Sequence, residues 1–187
     1  MIKNLLQAIR LTLVCLVILT AIYPLVVKGL SYITPLQGQA ETILSNGQKQ
    51  YLLLAQDFQS PNYFQPRPSA TNYNAAGSAG SNKGPTNADY LQLVQARIDT
   101  FMAQNPTVQT TEIPVEIITA SGSGLDPHLS PESAYIQVAR IAKSRNISPE
   151  IIDQLIKKNT ESPLFGPATV NVVALNIALD SINTSAK

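Results

Sequence analysis

Residues 114–145 read PVEIITASGSGLDPHLSPESAYIQVARIAKSR, and this stretch decides which fold the chain can build. Val115-Glu116-Ile117-Ile118-Thr119 is rich in β-branched residues, which predicts a strand. Ala120 to Leu129 carries Gly122, Gly124 and Pro127 and reads as a loop. Ser130-Pro131-Glu132 then opens a helix, with a hydroxyl cap, a proline at the first helical position and an acid in the first turn. Ala134, Val138, Ile141 and Ala142 recur on one face of that helix and are candidate core residues.

Upstream, Asn87 to Asn105 forms a second helical pattern, capped at Thr86 or Asn87 and ended by Asn105-Pro106. Leu91, Val94, Ile98 and Phe101 make its apolar stripe. Downstream, Ser148-Pro149-Glu150 repeats the Ser-Pro-Glu start. Ile151, Ile152, Leu155 and Ile156 follow it, and Lys157-Lys158 sit favourably at the helix C-terminus. Ser162 to Pro167 reads as a turn, and Val170 to Asn183 as a closing helix. Gln48 to Ala55 reads as a short buried strand after a turn at Ser45-Asn46-Gly47. Asp57 to Thr86 is rich in Pro, Gly, Asn and Ser but carries Phe58, Tyr63, Phe64 and Tyr73. Flexible linkers have few aromatics, so this segment is expected to be a long ordered loop whose rings dock on a surface.

The N-terminus is of another kind. Leu11 to Val27 carries no charge, and Leu11 to Leu30, with Lys28 snorkelling, reaches the length of about 20 residues that a membrane span needs. Pro24 is expected to kink this helix or loosen its last turn. A cleaved signal peptide is the rival reading, but no small-x-small site directly follows the apolar run. A buried core helix is the other rival. Lys3, Arg10 and the terminal amine precede the span, while Lys28 and Glu41 follow it. That bias favours a cytoplasmic N-terminus and an outside domain. The organisation expected is thus an N-terminal segment, residues 1–33, with one transmembrane helix at about 11–30. A small α+β (mixed α/β) domain follows over residues 34–187.

Composition removes several function classes. The net charge of +1 gives no field for nucleic acid. With 13% charged residues the surface is lightly charged and amide-rich, as suits a subunit that leans on other proteins. Cys15 is the one cysteine in the sequence, so neither an internal disulfide nor a thiolate zinc site can form. Ser121, Ser123, Asp126 and His128 superficially offer a hydrolase set, but Gly122-Ser123-Gly124 departs from G-x-S-x-G. Asp126 and His128 are also too close in sequence to orient easily toward one serine. The alternative is that these side chains satisfy backbone groups in a tight loop. The same glycines ahead of a helix could cradle phosphate, although no Walker loop is present. Arg67, stiffened between Pro66 and Pro68, could clamp a carboxylate or carbonyl of a partner or be an ordinary surface arginine.

The loop TASGSGLDPHLSP, residues 119–131, closely resembles the signature of the C subunit of Kdp-type potassium-transporting ATPases. Other matching parts follow in the family's order. They are the apolar helix with its Tyr23-Pro24, then Tyr63-Phe64-Gln65-Pro66-Arg67-Pro68-Ser69-Ala70, Gly80-Ser81-Asn82-Lys83-Gly84-Pro85-Thr86-Asn87 and Val170 to Asn176. Lys83 stands where the family's loop has an apolar residue. The resemblance implies a non-catalytic accessory subunit of an ATP-driven potassium uptake pump in the bacterial inner membrane. Its implied partners are a channel-like potassium subunit, a P-type ATPase subunit and a very small peptide subunit. It also implies a catalytic chaperone role that raises the ATPase subunit's affinity for ATP, a nucleotide shared with that subunit. The residues it marks as candidates for partner or nucleotide contact are Tyr63, Phe64, Arg67, Ser81, Asn82, Ser121, Ser123, Asp126 and His128. Membrane-anchored hydrolase and independent surface binding module are the competing function classes.

Overall fold

A computed structural model describes residues 2–45 and 47–184 of the chain, which divide into two units between Glu41 and Thr42. The N-terminal unit is one apolar helix, Ile2–Ser31, with no residue of its most apolar window buried. It comprises α1 (Ile2–Val17), a π-helical turn (Ile18–Ile22) and α2 (Tyr23–Ser31). Pro24 accounts for the π turn: it lacks an N–H, so the regular helical ladder cannot run through it. The Thr20 hydroxyl donates to the Leu16 carbonyl within the same segment at 2.7 Å. Lys28, in the last turn of α2, lies 5.0 Å from the centroid of the Tyr32 ring. Turns at Thr34–Gln37 and Leu36–Gln39, with Gln37 and Gly38 both left-handed, close this unit.

The second unit opens with a hairpin of β1 (Thr42–Ser45) and β2 (Gln48–Tyr51), Ser45 facing Gln48. Gly47 has φ +76°, while the Asn46 of the expected turn lies outside the described residues. The strand expected over Gln48 to Ala55 is thus shorter and mostly exposed, and the chain is buried again at Ala55. The segment from Asp57 to Thr86 has no regular element yet packs inward, with Phe64 fully buried. Helix α3 (Ala88–Gln104) starts at Asn87, whose side chain accepts from the Tyr90 N–H at 2.9 Å. Phe101 is buried, whereas Leu91 is 52% exposed, so the first turns of the stripe do not reach the core.

The expectation of a strand at Val115–Thr119 is corrected. Val115–Ile118 is a single helical turn, α4, begun by Pro114 in an extended conformation. The Thr119 hydroxyl closes it by donating to the Val115 carbonyl at 2.8 Å. This turn points Ile117 into the core and brings Glu116 to the Ser130 N–H, 2.7 Å away. β-propensity loses here because these tertiary contacts outweigh it. The sheet is made elsewhere, from β3 (His128–Leu129), β4 (Thr160–Glu161) and β5 (Thr169–Asn171) in the antiparallel order β3-β5-β4. The helix expected from Ser130 to Arg145 is split into α5 (Pro131–Tyr135) and α6 (Val138–Arg145) around Ile136-Gln137. Its predicted face is buried at Ala134, Val138, Ile141 and Ala142. Asn146 ends α6 in the left-handed conformation, φ +54°.

Helix α7 (Pro149–Lys158) buries Ile152 and Ile156, and α8 (Val172–Thr184) buries Leu175 and Leu179. These side chains meet Phe64, Leu129, Ile141 and Val170 in one core. Each large side chain fully buried there contributes about 1.5–3 kcal/mol. Helices and small sheets around one core make this an α+β unit.

Candidate functional site

Two loops meet at the region that the sequence singles out. A Cβ at Gly124, φ +70°, would stand 2.7 Å from the Ala79 carbonyl oxygen, and one at Gly80 would stand 3.1 Å from that of Gly122. Backbone therefore lies directly on backbone, and glycine is what permits the approach. Ser69 joins the loops further: its hydroxyl donates to the Gly124 carbonyl and accepts from the Tyr73 N–H at 2.9 Å. Ser78 donates to the Ser123 carbonyl at 2.9 Å.

Asp126 stands at the edge of this seam. One oxygen is 3.2 Å from Arg67 Nη1, and the other accepts from the His128 N–H at 3.0 Å and lies 3.3 Å from His128 Nδ1. The hydrogen bond to the imidazole holds the Asp126 carboxyl below its usual range, helped by the His128 backbone and the Arg67 charge. The same bond raises the affinity of His128 for a proton, with the Asp126 and Glu161 charges adding to it. A cleft of about 560 Å³ beside them is lined by Leu53, Ser78, Ser123, Asp126 and His128. Arg67 Nε is buried and has no partner among the described residues. The Tyr73 hydroxyl donates to the Arg67 carbonyl at 3.0 Å; burial first, and then the charge of Asp57, pushes its pKa up to about 12.

Both candidate serines take part in the loops' own hydrogen bonds. The Ser121 N–H donates to the Pro68 carbonyl at 3.3 Å, and Ser123 Oγ accepts from the Leu125 N–H at 3.1 Å. No hydrogen bond joins a serine to His128 among the described residues. The Gly124 N–H donates to the Ser121 carbonyl at 3.3 Å, and Arg67 Nη1 is paired with Asp126. Ser81 is half-buried, and Asn82 is exposed in a left-handed conformation, φ +53°; neither joins this cluster.

Tyr63 and Phe64 belong to a second cluster that the sequence reading missed. The Asn176 side chain accepts from the Phe64 N–H at 2.8 Å and donates to the Phe64 carbonyl at 2.9 Å. Gln137 does the same for Gln65, at 2.9 and 3.2 Å. Two buried amides thus stand in for a neighbouring strand and hold an irregular segment. Arg140 completes the clamp. Its guanidinium donates to the carbonyls of Pro61 and Tyr63, to Asn105 Oδ1 and to Gln137 Oε1. Burial pushes its pKa down to about 10. The Tyr63 hydroxyl donates to Asp180, and the Arg145 guanidinium lies over its ring at 4.7 Å. Phe58 and Phe64 thus dock on the chain's own core. The sequence signal was a polar residue in an apolar register: Gln137 falls between Ala134 and Ile141, and Asn176 between Val172 and Leu179.

The profile of the KdpC family, described as the c chain of the K+-transporting ATPase, matches residues 5–181. A Flavobacterium johnsoniae protein named potassium-transporting ATPase KdpC subunit is 50% identical over 181 residues, 96% of this chain and 99% of the relative. Relatives of the same name from Phocaeicola vulgatus and Bacillus anthracis are 44% and 39% identical. The matches cover 95% and 93% of this chain and 98% and 93% of those relatives. A match of this extent, through both the apolar helix and the loop seam, places the chain in the KdpC family of K+-transporting ATPase c chains.

Proposed function

We propose that this chain is an accessory subunit of an ATP-driven potassium uptake pump and that it carries out no chemistry of its own. The family match over residues 5–181 carries the reading. In this reading the apolar helix Ile2–Ser31 is an uncleaved anchor in the bacterial inner membrane, with the N-terminus inside and the second unit outside. Its partners are the channel-like potassium subunit, the P-type ATPase subunit and the small peptide subunit. Because Phe64 is fully buried and Phe58 packs against the core, the exposed flank of the helix is the leading candidate for contact with them.

The chain raises the ATP affinity of the ATPase subunit from a distance. A unit outside the membrane cannot reach cytoplasmic nucleotide, so the route is indirect. The effect is then a coupling free energy carried through the membrane helices. The test is ATP hydrolysis by the detergent-purified complex, assembled with this chain or without it. The expected result is a higher KM for ATP without the chain. An intact complex of the remaining subunits with an unchanged KM would remove the ATP role. Thiol labelling of single cysteines placed in the second unit, in intact cells against inverted vesicles, tests the orientation, and cytoplasmic labelling would reverse it.

A further inference from the structure

Arg140 carries a charge that its surroundings do not answer. It is 7% exposed, and its four donated hydrogen bonds go to neutral oxygens, two of backbone carbonyls and two of side-chain amides. Arg67 and Arg145, by contrast, each meet an aspartate. No ion pair reaches Arg140 among the described residues. Burial is what lowers its pKa, and no neighbouring carboxylate offsets it. The C-terminal end of α3, which reaches it through Asn105, supplies about half a negative charge. A cation held this far from water calls for more than that.

The charge opens on a cleft of about 490 Å³, lined also by Lys143, one turn further along α6, and by Gln104 and Thr107 beyond it. No acidic residue lines this cleft among the described residues. Donors are left over there. A guanidinium offers five N–H groups, and four are spent, so one on Nη2 has no acceptor among the described residues. The Gln104 amide oxygen accepts from Gln65, but its nitrogen donates no hydrogen bond among the described residues, and neither do the Thr107 hydroxyl and the Lys143 ammonium.

We propose that this cleft binds a small oxyanion of the phosphate class, held by Arg140 and Lys143. The class follows from the donors. A carboxylate pairs best with two parallel N–H groups of one guanidinium, and Arg140 has one to give. A tetrahedral anion spreads its oxygens over separate donors, and the cleft offers separate donors from two parts of the chain. Lys143 serves such an anion as a point charge. The site lies wholly within the second unit, so it goes beyond the pump reading and does not depend on it.

The test is urea unfolding of the full chain in non-ionic detergent over rising inorganic phosphate, with ionic strength held constant by chloride. Phosphate bound to the folded state stabilises it with a half-saturation point. Phosphate also strengthens apolar burial by being excluded from surfaces, but that effect grows without saturating and is shared by every variant. The expected result is a saturating rise in the urea midpoint. Lys143 is exposed, so Lys143→Gln leaves the fold standing, and it should move half-saturation to about tenfold higher phosphate. Lys143→Glu, which reverses the charge, should abolish the saturable part. Lys157→Gln, at an exposed lysine outside the cleft, should leave half-saturation where it is. Acetate in place of phosphate should give no saturable rise. A midpoint that climbs without saturating, or a half-saturation point that Lys143→Gln leaves unmoved, would overturn the site. Saturation by acetate over the same concentrations would overturn the phosphate class.

Discussion

The two polar clusters of the second unit solve opposite problems. Around Phe64 and Gln65, Gln137 is fully buried, Asn176 is 1% exposed and Arg140 is 7% exposed. Around the Gly122–Gly124 seam, the Arg67, Asp126 and His128 side chains are 23%, 32% and 33% exposed. The sealed cluster answers backbone groups mostly with neutral amides. The open cluster pairs charge with charge where water can compete. Burial, not formal charge, sets how much each one matters: a buried group left alone costs about 1–3 kcal/mol, while an exposed ion pair contributes about 0–1 kcal/mol.

The largest expected effect is therefore at a neutral side chain. Asn176→Ala strands both the N–H and the carbonyl of Phe64 beside a cleft of about 90 Å³, small against the one at Arg140. Urea unfolding of the full chain in detergent should show a loss of about 3 kcal/mol. A loss below about 1 kcal/mol would mean that the segment is held by Phe64 packing alone. Arg140→Met sharpens the same contrast from within the sealed cluster. It removes four donated hydrogen bonds, but Arg140 also lines a cleft of about 490 Å³ with Asn105 and Lys143, through which water can reach the abandoned oxygens. The expected loss is smaller, about 2 kcal/mol, despite the greater number of bonds.

The two clusters also differ in how readable they were. Helices α3 and α7 were legible, because the Asn87 cap and the proline-led start Ser148-Pro149-Glu150 are local signals with local causes. The loop motifs around Asp126 and His128 were legible as a region, since glycine, proline and aspartate announce a tight turn. The Phe64 clamp was not, because its partners lie 72 and 112 positions away and no local pattern encodes such a meeting. The strands escaped for a different reason: β3, β4 and β5 have two or three residues each, too few for alternation to show. The β-branched run at Val115–Ile118 looked like a strand because propensity was the one signal it carried. Its fate was decided by Pro114 before it and by Ser130, which needed Glu116.

The smallest effect lies in the open cluster, and it has a sign that can be checked. His128 is held above its ordinary value of 6.5 by its bond to Asp126, so its stabilising share is full below that value and disappears as pH rises through the raised one. Asp126 is held below its ordinary 3.8, so its share is present above that value and disappears as pH falls through the lowered one. The pair is therefore worth most between pH 3.8 and pH 6.5. With both side chains about a third exposed, the whole swing should stay under about 1 kcal/mol. His128→Ala should abolish the decline in urea midpoint on the alkaline side of that window and weaken the acid limb, where Arg67 still supports Asp126. If the variant keeps the full alkaline decline, the titrating group lies outside the Asp126–His128 pair. If instead the swing exceeds the loss caused by Asn176→Ala, water does not screen the open cluster, and the contrast between the two regions fails at its root.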